Sequence, residues 1–242
     1  MAAPVAEASV ASTVGLDPSP IGAEGHRARM RSRLLTAGPE ALNDQDLLEM
    51  LLFLALPRRD TKPIARLLLA RFGGFAPAIA APLQELLAVD GLGEAGAAAL
   101  KTVQAAALRL LRGKVLNQPI LNNWPRLTEY LTALLAHERV EQFRVLFLDN
   151  RNRLVADEAQ GQGTINRAPV FPREVARRAL ELHATAVILV HNHPSGDPTP
   201  SEDDLSMTRT VRLALEPLSI VLHDHVVVGG ERVVSFQREG LL

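Results

Sequence analysis

The residues best equipped for chemistry lie in one string, HNHPSGDPTPSEDD, from His191 to Asp204. His191 and His193 flank a single asparagine. On an extended strand alternate side chains share a face, so this spacing presents two imidazoles side by side. Neutral imidazoles are good zinc donors. Pro194, Pro198 and Pro200 stiffen the loop that follows, and Gly196 permits a turn within it. A helix predicted to start at Ser201 carries Asp204 in its first turn, so the loop returns a carboxylate toward the histidine pair. Two imidazoles and one carboxylate leave a fourth tetrahedral position for water, the arrangement of a catalytic rather than a structural zinc site. A plainer account competes. Ser201 and Asp204 also spell a capping box, in which both side chains only satisfy helix-end N–H groups. Each residue taken singly has such a structural explanation, and the combination is what favours a metal. The letters HNH invite a nuclease reading as well. Such nucleases build their site in a compact ββα unit, whereas this string is strand, loop and helix.

The elements that must hold this string are legible around it. Residues 186–190, AVILV, form a continuous apolar run suited to a central strand buried on both faces. Residues 143–148 read as a strand, Asp149-Asn150-Arg151-Asn152 as a turn, and 153–160 as the second strand of a hairpin. Pro172 opens a helix to about residue 182, another covers about 201–216, and β-rich segments at 220–228 and 233–236 close the chain. Strands alternating with helices make residues 127–242 a mixed α/β domain, entered through a short helix at about 127–136.

Upstream the grammar is helical only. Leu47, Leu48, Met50, Leu51, Leu52 and Leu54 form a dense apolar segment with Asn43 as N-cap and Asp46 three residues on. Ile64, Leu67, Leu68 and Phe72 form a second stripe, ended by Gly73 and Gly74. Further helices are expected at 83–88 and about 94–111. The division is therefore a disordered tail at 1–26, an all-helical domain at 27–112, a linker at 113–126 rich in Gly, Pro and Asn, and the α/β domain.

Composition limits the possible functions. With 26 basic and 27 acidic residues the net charge is -1, which does not favour a chain whose main task is gripping a phosphate backbone. The absence of cysteine excludes disulfides, cysteine-based zinc fingers, iron–sulfur clusters and cysteine nucleophiles, and fits a reducing compartment. No apolar run approaches the ~20 residues that span a bilayer. No lysine or arginine precedes Arg27, which argues against a secretory or transit signal. The expectation is a cytoplasmic protein with no membrane association.

The pattern His191-x-His193, seven residues, Ser201, two residues, Asp204 resembles the JAMM signature of MPN-domain zinc metalloproteases. The longer string HNHPSGDPTPS is similar to the bacterial RadC family, and the resemblance extends over nearly all of residues 27–242. It implies an MPN/JAB-like sheet flanked by helices, with Zn2+ held by His191, His193 and Asp204. It further implies that Ser201 orients the water or stabilises the oxyanion, and that an upstream glutamate is the general base. Glu141, just before the strand at 143–148, is the position that fits, with Glu158 and Glu174 as competitors. The implied activity is hydrolysis of a peptide or isopeptide bond in an unidentified protein or peptide. DHVVVG resembles that family's C-terminal strand. Asp224 and His225 are candidates to orient the metal ligands, and His223 is expected to face solvent.

Between two predicted helices, Val89-Asp90-Gly91-Leu92-Gly93 followed by Ala97 resembles a helix-hairpin-helix motif. Its glycines let backbone N–H groups approach a DNA phosphate at a helix N-terminus. Gly91, Gly93 and the nearest base, Lys101, are the DNA-contact candidates. Gly96 stands where many hairpins carry lysine and Glu94 adds negative charge, so only weak, non-specific contact is expected. The alternative function is accordingly a non-specific DNA-binding, DNA-repair-associated protein with a structural or inert metal site.

Overall fold

The computed structural model describes residues 23–121, 123–162 and 170–242. The tail predicted at 1–26 lies outside these residues up to residue 22, and from Ala23 the chain is helical instead. The helical part contains α1 (Ala23–Ala37), α2 (Asp44–Ala55), α3 (Lys62–Phe72), α4 (Phe75–Ala80), α5 (Leu83–Leu87) and α6 (Gly93–Val115). Asn43 caps α2 as predicted, with Asp46 completing the capping box. α1 and α4 carry no clear signal in the sequence. α1 has no apolar stripe: Met30 is buried but Leu35 is exposed. Polar contacts hold it instead, with Arg27 donating to the carbonyls of Leu56 and Pro57 and His26 meeting the buried Glu49 carboxylate at 2.9 Å. Leu48, Leu52, Ile64, Leu68, Leu86, Leu92 and Leu100 form the core these helices share.

The rest comprises α7 (Trp124–Leu135), β1 (Gln142–Leu148), β2 (Leu154–Gln162), α8 (Pro172–Glu181), β3 (Ala186–Asn192), α9 (Glu202–Leu215), β4 (Val221–Gly229), β5 (Arg232–Ser235) and α10 (Phe236–Glu239). The five strands form one sheet in the order β2-β1-β3-β4-β5. Only the β3–β4 pair is parallel. All seven residues of β3 are buried, as its unbroken apolar run requires. Their alternation divides two cores. Ile188 and Val190 point to the face covered by α7 and the C-terminal end of α6. Val187 and Leu189 point to the face covered by α8 and α9. His191, next in that alternation, faces α9.

The segment predicted as a linker at 113–126 is built into the fold. α6 runs on to Val115, and Val115 and Ile120 are buried against the sheet. Asn117 N–H donates to Leu154 O (2.9 Å), Leu154 N–H to Gln118 O (3.2 Å) and Ile120 N–H to Asn152 O (3.0 Å), so the segment covers the first residues of β2. Its Gly, Pro and Asn content marks irregular backbone rather than exposure, and Asn117 adopts a left-handed φ of 58° that asparagine tolerates. α6, 23 residues and about 35 Å long, thus enters both cores: Leu100 belongs to the helical one and Val115 to the one beneath the sheet. An ion pair between Glu85 and Arg139 (2.8 Å) also joins the two parts.

Candidate metal centre

The site forms where β3 ends. His191 is fully buried on the strand. His193, just beyond it, continues the ladder by donating its N–H to Val228 O (2.8 Å). The loop then turns at Gly196, whose φ of +82° suits glycine, and packs on the end of β4. There a Cβ on Gly229 would lie 2.4 Å from the backbone nitrogen of Pro198, so glycine is required by close approach. This delivers Ser201 to the N-cap of α9 and Asp204 to its first turn.

His191 Nε2 lies 2.9 Å from His193 Nε2 and 3.2 Å from Asp204 Oδ1, and His193 Nε2 is 3.5 Å from Asp204 Oδ2. One donor atom from each of the three residues fits within a 4.8 Å cluster. The capping box is present as well. Ser201 N–H and Oγ–H both donate to Asp204 Oδ2 (2.7 and 2.6 Å), and Asp204 N–H donates to Ser201 Oγ (3.2 Å). The two rival readings of Ser201 and Asp204 are therefore compatible: the cap spends Oδ2 and aims Oδ1 at His191. The Ser201 hydroxyl spends its one proton on Asp204.

The protonation of the donors follows from their partners. His193 Nδ1 is 2.8 Å from the carbonyl of Asp197, an acceptor, so Nδ1 carries a proton and the neutral form of the ring has its lone pair on Nε2. Burial works against an ionised Asp204, yet the neighbouring imidazoles of His191 and His193 and the hydrogen bond from Ser201 hold its carboxyl well below the usual range. The Asp204 carboxylate beside it raises His193 against the opposing effect of burial, favouring a protonated ring. Two imidazole nitrogens and a carboxylate oxygen directed at one point are a donor set suited to zinc or a similar divalent metal.

Of the three candidate bases, the register of the sheet brings Glu141 to this end. Phe143 pairs with His191 in the β1–β3 ladder. Glu141 lies two residues before this last pair of the ladder, and His193 two residues after it. The Glu141 charge reaches His193 and contributes to its raised pKa. Glu158 is held elsewhere by Arg178 (2.6 and 2.8 Å), and Glu174 by Arg177 on the exposed side of α8 (3.0 Å). Asn192, which sequence reasoning treated only as a spacer, is buried. Its Oδ1 accepts from Gln142 N–H (2.9 Å), and its Nδ2 donates to the carbonyls of Glu138 and Val140 (both 3.3 Å). It ties the backbone on both sides of Glu141 to the strand carrying the histidines.

The second H-x-H divides by face. A register irregularity in the β3–β4 ladder falls at His223, which is absent from the paired residues. It does not face solvent freely, as expected from sequence, but is half-buried with Nε2 2.8 Å from Asn152 Oδ1. Asp224 accepts from Ser235 Oγ (2.6 Å) and Gln237 N–H (2.9 Å), fixing the corner between β5 and α10 rather than a ligand. His225 is fully buried, with Nε2 2.8 Å from His191 Nδ1, and burial holds it neutral. Thr208, also missed, lies behind it at 2.6 Å. Its position four residues after Asp204 on one helix face was the available signal.

In the helical part, Gly91 and Gly93 have φ of +80° and +60° in the turn before α6. Gly91 O accepts from Arg59 Nη1 (2.9 Å). Lys101 is not brought to this turn. Its Nζ donates to Ala80 O (3.1 Å) and Gln104 Oε1 (2.8 Å), and burial lowers its pKa.

A five-stranded mixed sheet with a His-His-Asp cluster at the end of its central strand is the frame of a JAB-type domain. Residues 121–241 match the RadC-like JAB domain family, and residues 25–98 match the UPF0758 N-terminal family. A UPF0758 protein of Rhodobacter capsulatus is 56% identical over 213 residues, covering 88% of this chain and 100% of that protein. A second, from Ruegeria pomeroyi, is 50% identical over 217 residues, covering 90% and 97%. The chain belongs to the UPF0758 family and carries its RadC-like JAB domain at the C-terminal end.

Proposed function

We propose that this chain is a zinc-dependent metallohydrolase that cleaves a peptide or isopeptide bond in a protein or peptide substrate, acting in the cytoplasm. The observation that carries the reading is the convergence of His191 Nε2, His193 Nε2 and the Asp204 carboxylate, with His193 Nδ1 tied to a carbonyl so that Nε2 is available to ligate. A zinc ion held by His191, His193 and Asp204 would supply Lewis acidity and acidify water at the site. Glu141, whose charge reaches His193, takes the proton from the attacking water and passes it to the leaving nitrogen. Asn192 holds the Glu141 backbone in place for that transfer. Ser201 serves through Asp204, fixing one carboxylate oxygen so that the other stays aimed at His191. Among the described residues no helix is long and apolar enough to cross a membrane.

The test is elemental analysis of protein purified without added metal, followed by incubation with a peptide and isopeptide library. The expected result is about one zinc per chain, absent from a His191→Ala/His193→Ala variant, and bond cleavage abolished by chelation and restored by zinc. Protein that takes up no zinc even on reconstitution overturns the reading. Metal-dependent nicking of DNA in place of peptide cleavage replaces it.

A further inference from the structure

We infer that His225 and Thr208 are positioning residues for the metal: through two buried hydrogen bonds they fix His191 as the Nδ1–H tautomer and so keep its Nε2 lone pair directed into the site. The inference rests on the metal reading above.

The proton count begins on α9. Thr208 Oγ1 lies 2.5 Å from the carbonyl of Asp204, four residues back, the usual partner of a helical threonine hydroxyl. That bond uses the only proton of the hydroxyl, so toward His225 Nδ1, 2.6 Å away, Oγ1 can only accept. Nδ1 of His225 therefore carries its proton, and Nε2 of the neutral ring is an acceptor. Across 2.8 Å, that acceptor requires a proton on Nδ1 of His191. His191 Nε2 is left bare, facing His193 and Asp204.

The hydrogen bonds run from His191 to His225, to Thr208 and to the backbone of Asp204. Asp204 Oδ1 then lies 3.2 Å from the bare Nε2 of His191, two acceptors that a metal between them would join. Two ligands on different elements, one on β3 and one on α9, are thereby held in register by one chain of contacts. His225 has little freedom to turn. It is fully buried, with the Phe236 ring centroid 4.5 Å away and that of Phe143 5.7 Å away. Partners behind a ligating histidine fix its tautomer and orientation, and their loss typically costs about 10- to 100-fold in metal affinity. Here the partner is a second histidine, itself fixed by a threonine.

The experiment compares wild type with Thr208→Val, Thr208→Ser and His225→Phe. Zinc dissociation constants come from chelator competition, and imidazole tautomers from long-range 15N–1H correlation spectra of metal-free and zinc-loaded protein. Thr208→Val removes the hydroxyl at nearly constant volume. It is expected to weaken zinc binding about 10-fold and to convert His191 from pure Nδ1–H to a tautomer mixture in the metal-free protein. Thr208→Ser restores both, a rescue that a purely packing role for the side chain does not predict. His225→Phe gives the larger loss; if it fails to fold, the two Thr208 variants still decide. Wild-type affinity and an unchanged His191 tautomer in Thr208→Val overturn the inference while leaving the metal reading intact. Wild-type protein that binds no zinc overturns the metal reading, and the tautomer spectra then still decide whether Thr208 and His225 fix His191.

Discussion

Asp204 divides its two oxygens between architecture and chemistry. Oδ2 accepts from Ser201 twice, and Oδ1 is left for His191. The same separation of duties predicts how single substitutions behave. On the proposed mechanism, Glu141→Gln keeps the shape of the loop but removes the proton acceptor. Turnover should fall at least about 100-fold while zinc content, measured on the same sample, is unchanged. Loss of zinc from this variant would mean that Glu141 is a ligand. Asn192→Ala releases the carbonyls of Glu138 and Val140 and the N–H of Gln142. It should lower kcat about 10-fold with metal content intact, a smaller effect because the base is present but loosely held. Equal kcat in wild type and Asn192→Ala would show that the loop needs no such tie. The three ligand candidates were legible from type and spacing alone. Thr208 and His225 were less so, because their partners come from other elements and a tautomer chain is a property of distances. Asn192 looked like a spacer, since nothing in a one-dimensional string shows what a buried amide reaches on the far side of a strand.

The strands around the site were readable because their physics is local. The predicted strand at 143–148 and the apolar run at 186–190 lie within β1 and β3, since burial on both faces leaves an unmistakable mark. α1 was not readable, being held by Arg27 and His26 rather than by an apolar stripe, and periodicity is blind to that. Two element-scale predictions follow from polar contacts. Ser201→Ala removes the cap of α9 and should cost about 1 kcal/mol of stability, with weaker zinc binding because Asp204 loses its restraint; chemical denaturation and chelator competition measure the two. The second concerns the attachment of α7 to the sheet. Tyr130 is buried and donates to Asp157 Oδ2, whose other oxygen accepts from Arg144. Burial first, then the Asp157 carboxylate, push the Tyr130 phenol well above its ordinary value. The folded pKa thus exceeds the unfolded one of about 10. Its contribution is complete below that pH and is lost as pH rises toward the folded value. Stability should fall above about pH 10, and Tyr130→Phe should flatten the fall. An equally steep alkaline loss in that variant would assign it to other groups.

At the scale of the molecule, a metal that binds only the folded chain stabilises it by mass action. Free zinc at 1,000 times its dissociation constant adds about 4 kcal/mol. Chelation should therefore lower the thermal midpoint, and an unchanged midpoint would argue against a site formed only in the native state. The boundary between the helical and α/β parts was misjudged from sequence because Gly113, Pro119 and Asn117 look like a linker, whereas Val115 and Ile120 are core. The consequence reaches into how such a chain can change length over time. α6 is a single rigid shaft with one end set in each core. One residue inserted along it rotates everything beyond by about 100° and advances it by about 1.5 Å, taking Val115 off the sheet and parting Glu85 from Arg139. Seven residues nearly restore the angle but separate the two bodies by about 10 Å. The distance from Gly93 to Val115 is thus a fixed measure, and length variation in homologous chains should gather in the loops and leave this helix untouched.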